Sequence, residues 1–77
     1  MTASTLVATV MKNNTEEVRV SLTTFNGFAL VDIRTFAWPI GAQGEPVPTQ
    51  RGVCLGRDRL PDLIQALIQA QEASASC

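Results

Sequence analysis

Asn26-Gly27 lies between two β-rich runs, and no other feature constrains this chain as strongly. Asn followed by Gly readily supplies two successive positive φ angles, which a type I′ turn needs and which suit the twist of paired strands. Before the turn the chain alternates: Val18, Val20 and Leu22 face one way, Arg19, Ser21, Thr23 and Phe25 the other. After it, Phe28 to Phe36 continues the pattern, with Ala29, Val31 and Ile33 on one face and Phe28, Leu30, Asp32, Arg34 and Phe36 on the other. A tight antiparallel hairpin with one aliphatic and one mixed face is expected.

Around the hairpin the signals are shorter. Residues 1–15 read as a flexible leader in which Leu6 to Val10 has β character. Trp38 to Pro48 contains three prolines and two glycines, so it is expected to be a long loop. Gln50 to Leu55 suggests a further short strand, with Gly52 marking a bulge or a close backbone approach. Leu60, Leu63, Ile64, Leu67 and Ile68 then recur at the spacing of an amphipathic helix. Asp58 is the candidate N-cap, Pro61 falls in the first turn, and the helix is expected to end near Gln71. The chain therefore reads as α+β, a curved antiparallel sheet of about four strands followed by one C-terminal helix, over residues 16–72 with a frayed tail at 73–77.

Seventy-seven residues suffice for one domain. A chain of this size buries only roughly 60% of the surface its unfolded form exposes, so a second copy is the expected source of further burial. The helix stripe is most simply a cover for the sheet, and Leu63, Leu67 and Ile68 are candidates for sharing between core and dimer contact. Six basic residues against seven acidic ones remove any global attraction to nucleic acid, so binding of that kind must use local patches. Cys54 and Cys77 make no disulfide framework, and without histidine no metal or other cofactor is expected. No run approaches the roughly 18 apolar residues of a membrane span. Lys12 follows the apolar N-terminal run instead of preceding it, the wrong order for a secretory signal, so a soluble, cytoplasmic protein is expected. There is no histidine or tyrosine, and Asp32 with Glu45 is the only carboxylate pair worth naming, so no enzyme is expected.

The run Val18 to Gly27, followed by Leu30-Val31-Asp32-Ile33-Arg34, resembles the hairpin of the positive-cofactor-four family of transcriptional coactivators. Gly44-Glu45, then Pro48 with Arg51-Gly52-Val53-Cys54-Leu55, and a helix led by Leu60 follow in the family's order, so the resemblance covers about residues 17 to 70. It implies a homodimer whose sheet surfaces and loops cradle single-stranded DNA, with RNA or melted duplex as related ligands and proteins of transcription or replication as partners. In a bacterium such a protein would associate with the nucleoid.

Sequence-tolerant binding of this kind needs aromatic faces for bases and cations for phosphates. Phe25 is the candidate stacking platform, or else it packs beneath the hairpin end; Asn26 and Phe28 adjoin it. Arg34 is a candidate phosphate contact, with pairing to Asp32 or Glu45 as the ordinary alternative. Arg51 with Gly52 matches a basic-glycine pair of the family, and Trp38 either caps the core or stacks on a base. Arg19 joins a basic strip or is a solvated surface arginine. Where family members usually carry lysines or arginines, this chain has Thr23, Asn26, Phe28, Val47 and Gln50, which predicts weaker binding and a shallow salt dependence. A protein-interaction dimer of the same fold, with weak or lost nucleic-acid affinity, is the rival reading.

Overall fold

In the computed structural model, which describes residues 3–39 and 44–75, four antiparallel strands form one sheet in the order β1-β2-β3-β4. They are β1 (Ala3–Met11), β2 (Glu16–Phe25), β3 (Phe28–Ala37) and β4 (Val47–Gly56), followed by a 3-10 turn at Arg57–Arg59 and the helix α1 (Leu60–Ala75). Residues 1–2, 40–43 and 76–77, and with them Cys77 and part of the long loop, lie outside the described residues. Among the described residues no helix is long and apolar enough to cross a membrane.

The hairpin forms as the sequence dictates. Asn26 (φ 51°) and Gly27 (φ 80°) take the two positive φ values, and Phe25 pairs with Phe28 directly across the turn. From that register Val20 opposes Ile33 and Leu22 opposes Val31, while Val31 and Ile33 oppose Leu55 and Val53 on the far side of β3. Valine, isoleucine and leucine thus share one face of the three strands. Val31, at the centre, is only 1% exposed and is the single buried hydrophobic residue among those described.

Gly52 pairs with Arg34 beside the register shift in the β3–β4 ladder. A Cβ on Gly52 would lie 2.7 Å from the Ile33 carbonyl oxygen and 2.9 Å from the Arg34 Cα, both backbone atoms that cannot swing away. Gly52→Ala should cost about 1–3 kcal/mol by overpacking. For a domain of this size that lowers Tm by roughly 5–20 °C, measured at equal protein concentration. An unchanged Tm would show that β4 can shift off β3 at no cost.

Four expectations are corrected in detail. The strand within the leader spans Ala3–Met11 and pairs with β2 along its length; its period-2 signal is broken by a shift between Leu6 and Ala8. The loop ends before Val47, and Pro48 sits within β4, where an edge strand tolerates a missing N–H. Asp58 caps nothing: the chain enters a 3-10 turn from Gly56 without a side-chain cap, and α1 continues to Ala75, beyond Gln71.

The fourth correction concerns the helix stripe. It does not cover the sheet, for no residue of α1 is buried and the helix has no extended packing against any strand. The cause is the connector. Arg57 donates to the carbonyls of Leu30 (3.1 Å) and Thr23 (3.2 Å), so the 3-10 turn is fastened to β3 and β2 and sets where α1 leaves the sheet. The resulting chain is open: its radius of gyration is 14.5 Å, against about 11.5 Å for a compact domain of this length.

Candidate nucleic-acid interface

The mixed face of the hairpin carries most of the residues singled out above. Alternation and register place Glu17, Arg19, Ser21, Thr23 and Phe25 of β2 beside Phe36, Arg34, Asp32, Leu30 and Phe28 of β3, in that order. At the turn, Phe25 is 53% and Phe28 68% exposed. The alternative in which Phe25 packs beneath the hairpin end is excluded. Two phenyl rings stand in water at neighbouring positions, a costly arrangement unless a ligand covers them.

Further along, each arginine on this face is held by an acid two residues earlier on its own strand. Arg34 donates through Nε (3.1 Å) and Nη2 (2.9 Å) to the two oxygens of Asp32, and through Nη1 (2.9 Å) to the Thr49 carbonyl. Pairing with Asp32, and not with Glu45, is therefore the state of Arg34 in the free protein. The Asp32 hydrogen bond, aided by its charge, raises the Arg34 pKa further above its ordinary value. Both Asp32 oxygens thus accept from Arg34. Arg19 donates from Nε to the buried Glu17 carboxylate, and its guanidinium lies over the Phe36 ring, 4.5 Å from the centroid. Arg19 and Arg34 are direct cross-strand partners, a repulsive placement relieved because each has its own carboxylate.

Arg51 is not part of this group. It precedes Gly52, which pairs with Arg34, so it belongs to the opposite face, where its mostly exposed side chain lies 3.6 Å from Glu16. Glu16 also accepts from the Asn13 amide (3.0 Å) and pairs with Lys12 (3.6 Å). Its pKa is lowered, first by the Asn13 hydrogen bond, which outweighs the opposing effect of burial, and then by Lys12 and Arg51. Trp38 is half-buried, and its backbone N–H donates to Thr15 (3.1 Å), joining the loop to the β1–β2 turn. Asn26 holds the turn and Gly52 fills the close approach described above.

All six cations of the sequence have partners: Lys12, Arg19, Arg34, Arg51 and Arg59 face carboxylates, and Arg57 holds backbone carbonyls. The pairs of Lys12, Arg51 and Arg59 are long and exposed and contribute little. Sequence reasoning missed Glu17 and Phe36 as parts of the site. The signal was present, since an acid two residues before an arginine on a strand shares its face. Among the described residues no three His, Cys, Asp or Glu side chains come together to hold a metal ion.

The sequence model of the family described as transcriptional coactivator p15 (PC4) matches residues 12–66, more than half of the chain. Among solved structures, a PC4 homolog from Burkholderia pseudomallei superposes with a TM-score of 0.80 at 29% identity, covering 90% of this chain and 98% of that one. A second crystal form of that protein gives a TM-score of 0.81. A bacteriophage T5 homolog of the eukaryotic coactivator PC4, implicated in recombination-dependent DNA replication, matches in fold with a TM-score of 0.65 at 22% identity, covering 96% of this chain and 81% of that one. No curated protein matches the chain in sequence.

Proposed function

The chain belongs to the transcriptional coactivator p15 (PC4) family, and from that premise we propose that it binds single-stranded DNA as a homodimer, chiefly by base stacking. The observation that carries this reading is the exposed Phe25–Phe28 pair on a sheet face whose four charges cancel. Exposed aromatic rings take any base, because every base has a π-face, and each stack is worth about 1–3 kcal/mol. Arg34 is assigned to a phosphate after exchanging Asp32 for the ligand, and Arg51, exposed on the edge strand β4 but on the opposite face, to a phosphate where the nucleic-acid strand rounds that edge. The protein works as a binding module in transcription or in replication intermediates and supplies no chemistry of its own.

A second copy is favoured by area. The chain exposes 5931 Å², whereas a compact monomer of 8.3 kDa exposes about 4,600 Å², an excess of about 1,300 Å². A typical interface buries roughly 800 Å² on each partner, so the excess is enough for a stable dimer. Leu63, Leu67 and Ile68 of α1 are the proposed contact residues.

Fluorescence anisotropy of a labelled oligo-dT of about 20 nucleotides, against matched duplex and across a salt series, tests the reading. Two phosphate contacts per protomer give a log–log salt slope of about −1.4, or about −2.8 for the dimer, shallow for a nucleic-acid-binding protein. Preference for the single strand with such a slope is the expected result. Absence of binding at low salt would reject the proposal in favour of a protein-interaction module in which Phe25 and Phe28 meet a protein partner.

A further inference from the structure

We propose that Arg19, stacked on Phe36 and held by Glu17, is a second nucleobase platform and not a phosphate contact; this rests on the single-strand reading above. Glu17 and Phe36 are register partners, so carboxylate and ring stand side by side, and Arg19 folds back across both. At 4.5 Å from the centroid the guanidinium is well inside the range of a cation–π contact. Its side chain is still 26% exposed. That exposed part, open beside the ring, is the surface a further ligand can cover.

The partner on that open side is decided by charge. A cation already neutralised by a buried carboxylate gains little from a phosphate, because reaching one means leaving Glu17 uncompensated in a desolvated site. A nucleobase makes no such demand. It lies flat on the guanidinium while the Glu17 and Phe36 contacts stay in place, and arginine planes and aromatic faces are both surfaces on which unpaired bases stack. Arg34 is less suited to this role, because all three of its nitrogens donate within the protein and, among the described residues, it makes no cation–π contact. Arg19 lies on the same face as Phe25 and six residues before it, roughly 20 Å along the strand, so one extended strand of nucleic acid can reach both.

The test compares wild type, Arg19→Lys, Arg19→Gln and Phe25→Ala by anisotropy with oligo-dT over a salt series, after thermal melts show that each variant folds. Arg19→Lys keeps the charge beside Glu17 but removes the plane. Both Arg19 variants are expected to weaken binding about 5- to 100-fold with an unchanged salt slope. Wild-type affinity in Arg19→Lys, or a slope flattened by about 0.7 per protomer, about 1.4 for the dimer, in Arg19→Gln, would overturn the proposal in favour of a phosphate contact. If Phe25→Ala weakens binding and neither Arg19 variant does, this inference fails while the single-strand reading stands. If wild type binds no single strand, both fall.

Discussion

A Leu67→Asp chain is expected to lose its native fold at micromolar concentration, while the wild-type chain elutes at twice its 8.3 kDa mass. Leu67 is 58% exposed on the chain alone, at the middle of a helix with no buried residue. With Val31 as the single buried hydrophobic residue among those described, one copy has too little core to offset chain entropy. Burying a leucine fully is worth about 1.5–3 kcal/mol. Placing an aspartate at that position in each of two protomers forfeits this twice and adds the cost of desolvating two charges. Because stability and association are then one equilibrium, the wild-type melt should also move up with protein concentration. Size-exclusion with light scattering and far-UV circular dichroism read both effects. A folded 8.3 kDa species in the wild-type chain would remove the dimer from the proposal, whereas one in Leu67→Asp alone would keep the contact and show that a single copy folds by itself.

The second large effect belongs to the turn. Replacing Phe25 and Phe28 together by alanine removes two stacking faces, each worth about 1–3 kcal/mol per base. If each ring carries one base, affinity for oligo-dT should fall by about 2–6 kcal/mol, at least roughly 30-fold, with the salt slope unchanged because no cation is touched. Stability should hardly move. The rings are mostly exposed, and a cross-strand pair contributes only about 0.2–1 kcal/mol beyond alanine. A variant that melts like wild type but no longer binds separates the ligand role of the rings from a structural one. Wild-type affinity in the double variant would place the bases elsewhere.

The sheet was legible where both period and turn chemistry were strong. Val18, Val20 and Leu22, Asn26-Gly27, and Val31 and Ile33 each specify the same hairpin, and register follows from the turn. β1 was half-legible because an edge strand exposed along its described length needs no alternation, and the shift between Leu6 and Ala8 breaks what there is. The family resemblance rested on the ordered set of short pieces, and the match over residues 12–66 bears it out.

Alternation and a two-residue turn are local properties of backbone geometry, and they already specify the hairpin, the α+β class and the crowding of Phe25, Phe28, Arg19 and Arg34 onto one strand face. What those side chains do in the free protein is set by their packing in three dimensions. The closing of Asp32 on Arg34 and of Glu17 and Phe36 on Arg19, and the removal of Arg51 to the other face, depend on rotamers and on the shift in the β3–β4 ladder. The direction of α1 was likewise beyond sequence. An aliphatic stripe states that a helix face must be covered, but the surface that covers it depends on where the chain leaves the sheet, and here Arg57 sets that point.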